Sequence, residues 1–309
     1  MNKVVTTLLL SLLLGVFTGC SDSGKNANHV EKASLYLNRG DLKEAAIELK
    51  NALQKNPNDL RARWLLGTLY LQTGNPASAE KELRRARELG VVDDSVLPLL
   101  ARSLLRQKKY AALKALDLSG LTTPENRAQV LAVQGLGLLA QGRLDAAAKK
   151  IDAAVAMAPQ SVDVLVSQAR LLVAREDFDG ARQTLDRIFA IVPDYAPAKS
   201  LLGDIESLAG NFQASEEAYS QAISEEKKNR FSDILKRARV RIEQKRYAAA
   251  QKDVDFLKSK APQHPLVNFM QGLIHFRQGR TAEAQESFEV AVRGKNPQLM
   301  AMYLLAVIH

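Results

Sequence analysis

The chain has 309 residues, of which 46% are hydrophobic, 6% aromatic and 25% charged, and its formal net charge is +9 at pH 7. That balance excludes an intrinsically disordered or fibrous polypeptide and fits a soluble helical protein rich in alanine and leucine. With Cys20 as the single cysteine, an intramolecular disulfide is excluded as well.

The first predicted element is a leader. Met1, Asn2 and Lys3 give a positive start, and Val4 to Val16 is an apolar run interrupted by Thr6, Thr7, Ser11 and Gly15 before Phe17, Thr18, Gly19 and Cys20. The run is too short for a membrane span and suits a secretory signal. Residues 1–20 are therefore predicted to be a signal peptide, 21–28 a polar flexible tether, and 29–309 a repeat array.

Beyond the tether, a set of small and large residues recurs about every 34 positions. Tyr36, Gly40, Asp41, Ala45, Leu49, Ala52 and Pro57 mark one unit, and Leu66, Gly67, Tyr70, Gly74, Ala79, Leu83 and Ala86 the next. Around 94–127 the unit is weak, because its second helix decays into Asp117, Ser119, Gly120 and Pro124. The register resumes at Gly135, Gly142, Ala147, Ile151 and Ala154. It continues through Ala169, Ala181 and Leu185, then Gly203, Gly210 and Tyr219, then Ala238, Ala250 and Val254, then Gly272, Gly279, Ala284 and Phe288. Apolar residues recur at i, i+3 and i+4 and no strand pattern competes. Small residues let paired helices approach, and the glycines at 40, 74, 142, 210 and 279 end first helices where a left-handed residue is needed.

This pattern resembles the tetratricopeptide repeat. The resemblance implies an all-α fold, a right-handed α-solenoid of stacked helical hairpins, with about eight repeats and a truncated ninth that stops in a first helix at Leu304–His309. No polar capping helix follows, so the array is expected to continue or to complete itself against a partner.

The end of the leader resembles the lipobox of bacterial lipoproteins, with Thr18 and Gly19 at the small positions and Phe17 where leucine is usual. The resemblance implies cleavage before a lipidated Cys20 and a periplasmic domain held to the membrane by acyl chains. Ser21 is not the aspartate that commonly retains lipoproteins at the inner membrane, so the outer membrane is favoured. That compartment argues against nucleic acid as a partner. A narrower likeness lies in Gly40–Gln54, Asn56-Pro57, Ala62-Arg63, Leu65–Gly67, Ala79–Ala86 and Val96–Ala101, which resemble the tetratricopeptide-repeat lipoproteins of PEP-CTERM/exosortase systems. It implies a scaffold for envelope proteins in exopolysaccharide production, with an anionic polysaccharide as a further possible ligand. A general outer-membrane biogenesis lipoprotein, pilotin-like or of the barrel-assembly kind, is the alternative.

Catalytic chemistry is poorly represented. His29, His264, His275 and His309 are scattered, without a zinc-binding pair, and no P-loop or nucleophile elbow occurs, so no metal, cofactor or enzyme activity is expected. Gly135-Leu136-Gly137 lies inside a predicted helix, where it is better explained by packing than by a dinucleotide. Carboxylates such as Glu216, Glu217 and Glu283 are expected on solvated faces. What remains is a binding groove lined by first helices. The register projects Arg61, Trp64, Arg102, Arg106, Arg170, Arg239, Phe269, Phe276 and Arg277 into it, with Asp163, Asp204 and Glu243 opposing. Guanidinium groups suit carboxylates, although a solvated helix face also accounts for scattered arginines. Val30 and Ser34 stand where a chaperone-binding groove needs lysine and asparagine, which disfavours that partner.

Overall fold

The computed structural model describes residues 23–225, 230–293 and 298–308, so the leader and Cys20 lie outside the described residues. Those residues form helical hairpins and include no strand. The hairpins are α1 (Ser23–Arg39) with α2 (Leu42–Lys55), α3 (Leu60–Gln72) with α4 (Pro76–Glu88), α5 (Asp93–Arg106) with α6 (Tyr110–Lys114), and α7 (Pro124–Leu139) with α8 (Leu144–Met157). They continue as α9 (Val162–Ala174) with α10 (Phe178–Ile191), α11 (Ala196–Leu208) with α12 (Phe212–Glu225), α13 (Phe231–Glu243) with α14 (Tyr247–Lys260), and α15 (Pro265–Arg277) with α16 (Thr281–Val292). A further first helix, α17 (Leu299–Ile308), packs on α16. The chain divides into two compact units, Met1–Val164 and Leu165–His309, with the boundary inside α9.

The tether expectation needs correction, because α1 already begins at Ser23 and takes in most of 21–28. Val30 and Ala33 are buried against the first hairpin, no proline precedes them, and a nucleated helix extends backward at little cost.

The period is written in backbone conformation. Left-handed residues close the turns at Gly40, Gly74, Gly142, Gly210 and Gly279, with φ between 73° and 80°. The same place in three other hairpins holds Lys108, Glu176 and Lys245, at φ 58°, 60° and 60°. Glycine adopts this conformation without penalty, whereas an L-residue loses about 1 kcal/mol or more. Two of these turns are tied to the preceding hairpin. Gln107 donates to the Pro76 carbonyl at 3.1 Å and to Glu80 at 2.8 Å, and Lys109 donates to Glu80 at 2.8 Å. Gln244 donates to the Phe212 carbonyl at 2.8 Å, and Arg246 pairs with Glu216. Burial would push the Glu80 carboxyl up, but hydrogen bonds from Lys109, Arg84 and Gln107 outweigh it and leave the pKa below the usual value. Glu216, expected on a solvated face, is instead buried, because Arg241 and Arg246 satisfy its carboxylate.

Within each hairpin, a small first-helix residue meets a large second-helix one. A methyl group added at Gly203 would stand 2.5 Å from the Tyr219 ring, and one at Gly135 would stand 2.5 Å from Ile151. At Gly272 it would collide with the Phe288 ring, a fully buried side chain. Close packing of this kind leaves no room for one more carbon.

The third hairpin is different. Its second helix ends at Lys114, and the chain returns to α7 through an irregular stretch, with Leu113 and Leu121 buried and Leu116 and Leu118 covering the same core. Asp94, in the first turn of α5, holds this stretch. Its carboxylate accepts from the Thr122 hydroxyl, from the Thr122 N–H at 3.1 Å and from the Asn126 amide at 3.1 Å. Burial would raise the Asp94 pKa, but the Thr122 hydroxyl, the Asn126 amide and the Thr122 and Thr123 N–H groups outweigh it and hold it at about 2.

Candidate protein-binding faces

First helices lie side by side within each unit, α3 on α5 and α5 on α7 in the first, α13 on α15 in the second. This arrangement places side chains from successive repeats on one face of each unit.

In the first unit, the projected residues are mostly engaged. Arg61 is exposed and makes no hydrogen bond or ion pair with the described residues. Trp64 is half-buried, its indole N–H donates to the Ser95 carbonyl at 3.0 Å, and its ring packs against the cores of the first and third hairpins. It therefore couples neighbouring hairpins. Arg102 donates to Asp163 at 2.5 Å, so first helices two hairpins apart, α5 and α9, are bridged by an ion pair. Arg106, one turn after Arg102, donates to the Leu71 carbonyl at 2.6 Å. Burial, and then the adjacent Arg102 charge, press the Arg106 pKa below its usual value.

In the second unit, Arg170, Arg239 and Arg277 are exposed, and none makes a hydrogen bond or ion pair with the described residues. Asp204 accepts from the Tyr219 hydroxyl at 2.7 Å and pairs with Lys236 at 2.7 Å, so its charge is compensated. Glu243 is exposed.

Two projected residues require correction. Phe269 is buried and Phe276 is partly buried, both in the core of the last hairpins, with their ring centroids 5.9 Å and 6.4 Å from that of Phe288. The reason is local. Phe269, Gly272 and Phe276 follow i, i+3, i+7 spacing and share one helix face, and the missing side chain at Gly272 lets Phe288 sit between the two rings. That spacing around Gly272 was the signal that could have moved both residues from groove to core.

Among the described residues, no group of three His, Cys, Asp or Glu side chains is placed to hold a metal, and no helix is long and apolar enough to cross a membrane. Among the described residues, His29 contacts Glu48 at 2.5 Å, His264 lies against the Phe231 ring and His275 contacts Gln271 at 2.8 Å.

Family models of the tetratricopeptide repeat match residues 36–103, 138–205 and 235–299. The type IV pilus assembly protein PilF of Pseudomonas aeruginosa is 26% identical over 197 residues, covering 59% of this chain and 78% of that protein. Among solved structures, yeast Tom70 superposes with a TM-score of 0.60 at 16% identity, over 95% of this chain and 66% of that one. A tetratricopeptide repeat protein from Parabacteroides merdae superposes with a TM-score of 0.50 at 18% identity, over 92% of this chain and 98% of that one. With family models matching most of its length and helices α1 to α16 in consecutive pairs, the chain belongs to the tetratricopeptide repeat superfamily.

Proposed function

We propose that the protein is a non-catalytic scaffold, lipid-anchored through Cys20 in the bacterial periplasm, more specifically at the outer membrane, whose first-helix faces bind segments of other envelope proteins. The observation that carries this reading is the set of three exposed arginines, Arg170, Arg239 and Arg277, on first helices of the second unit, none of which has an ion-pair partner among the described residues. Unpaired guanidinium groups on such a face favour a carboxylate-bearing segment or an anionic polysaccharide, held by bidentate hydrogen bonds and steered by long-range attraction.

The first two repeats and the leader support a place in exopolysaccharide production beside a PEP-CTERM/exosortase system. The similarity to PilF favours a second reading, assembly of an envelope structure such as a pilus. Both readings are tested together by crosslinking capture from an envelope extract, with wild type compared against Arg170→Ser/Arg239→Ser/Arg277→Ser. The captured partner is expected to disappear in the variant and to weaken as salt rises, because the Debye length shrinks to about 8 Å at physiological ionic strength. An unchanged set of captured proteins would remove the arginines from the binding face. The identity of the captured protein separates exopolysaccharide machinery from pilus machinery. Mass spectrometry of the mature N-terminus tests the anchor: an acylated Cys20 is expected, and a free thiol there would overturn it.

A further inference from the structure

On the first helices of the first unit, one of two adjacent cations on α5 holds a carboxylate from α9. Arg102 and Arg106 stand one helical turn apart on α5, and Asp163, from the first turn of α9, gives its carboxylate to Arg102 at 2.5 Å. The side chains of Arg102 and Asp163 are 35% and 42% exposed, so the pair is open to exchange with solvent. A surface ion pair of this exposure contributes about 1 kcal/mol or less to stability, too little to resist a competing carboxylate held by neighbouring contacts. Arg102 uses one of the five donors of its guanidinium in this pair, and a planar guanidinium is best satisfied by two parallel bonds from one carboxylate.

Asp163 has its own reason to tolerate release. It lies in the first turn of α9, where a carboxylate is favoured by the helix dipole with or without Arg102. The two charges of Arg102 and Arg106 against one from Asp163 leave the cluster net positive.

From this geometry we infer that Arg102 and Arg106 form a carboxylate-binding site whose resident occupant is the Asp163 side chain, and that an Asp, Glu or C-terminal carboxylate of a bound segment displaces it. The inference rests on the reading of first helices as binding faces and adds to it an internal competitor. Asp163 sets a threshold: a ligand with a single weakly held carboxylate loses to it, and a ligand with several carboxylates along an extended segment wins. In the second unit Arg170, Arg239 and Arg277 carry no such competitor among the described residues.

The test uses fluorescein-labelled hexaglutamate and fluorescence anisotropy at low salt on the whole chain. Asp163→Asn is expected to tighten binding about threefold or more, Asp163→Glu to stay near wild type, and Arg102→Ser/Asp163→Asn to lose the gain. Circular dichroism should be the same for all four proteins, because both side chains are partly exposed. An affinity of Asp163→Asn equal to wild type overturns the inference, as does a gain that survives in the double variant. Absence of binding by both wild type and Asp163→Asn also overturns it. If the second-unit triple variant loses its captured partner while Asp163→Asn changes nothing, the proposed function stands and the competitor falls.

Discussion

The eighth hairpin and the third share one register and are closed by different forces. In the eighth, Gly272 lets the Phe288 ring onto the backbone of α15, and Phe269 and Phe276 fill the remaining space, so the closure is apolar and depends on shape. In the third, the place corresponding to Phe288 is held by Asp117, beyond the end of α6, where no ring can be buried. The core is covered instead by Leu113, Leu116, Leu118 and Leu121, and the return of the chain is fixed by hydrogen bonds to Asp94. A repeat can thus lose most of a helix and keep its period, provided that polar bonds take over the positioning that packing no longer supplies.

The largest effect is expected where closure depends on shape. Gly272→Ala adds one carbon against a fully buried ring and should destabilise the protein by about 2 to 3 kcal/mol, the upper range for overpacking. Urea unfolding measures this, and a midpoint equal to wild type would show that the eighth hairpin has slack. In the third hairpin the corresponding weak point is polar. Asp94→Ala leaves the N–H groups of Thr122 and Thr123 to water and should cost about 1 to 2 kcal/mol. Hydrogen exchange should show the loss confined to the stretch between α6 and α7, with α16 still protected; equal loss in both hairpins would break the comparison.

Acid should act on the third hairpin in the same direction, and more weakly. The Asp94 pKa is about 2 in the folded protein and about 4 in an unfolded chain, so its contribution is complete above pH 4 and is lost as pH falls toward 2. Because Asp94 is partly open to solvent, that contribution is about 1 kcal/mol. A pH titration of amide exchange at Thr122 and Thr123 should show it, and its absence in Asp94→Asn identifies the group.

The period, the hairpins and the failing second helix near Asp117 were legible in the sequence because glycine, alanine and proline leave a mark wherever helices cross closely or end. The turns at Lys108, Glu176 and Lys245 were not legible, since a strained L-residue has no distinctive letter. The first unit's candidate site was legible as a set of charges on first helices. That Arg102 reaches Asp163, two hairpins on, was not, because repeat position gives the direction of a side chain and says nothing of which neighbour it meets. Phe269 and Phe276 depart from their projected places for the opposite reason: the register assigns them to the groove, and the space that Gly272 leaves empty draws both rings onto Phe288.

The turns give the smallest effect and sharpen the comparison through its sign. The eighth hairpin turns at Gly279, with φ 75°, and the third turns at Lys108, with φ 58°. Lys108→Gly removes about 1 kcal/mol of left-handed strain and adds chain entropy to the unfolded state, so the net gain should be about 0.5 kcal/mol. The anchors on Glu80 come from Gln107 and Lys109 and remain in place. Gly279→Lys should do the reverse and cost about 1 kcal/mol. Thermal melts of the two variants should therefore move in opposite directions. If Lys108→Gly melts below wild type, then the side chain of Lys108 contributes an interaction that outweighs its backbone strain, and the third hairpin depends on its turn as well as on Asp94.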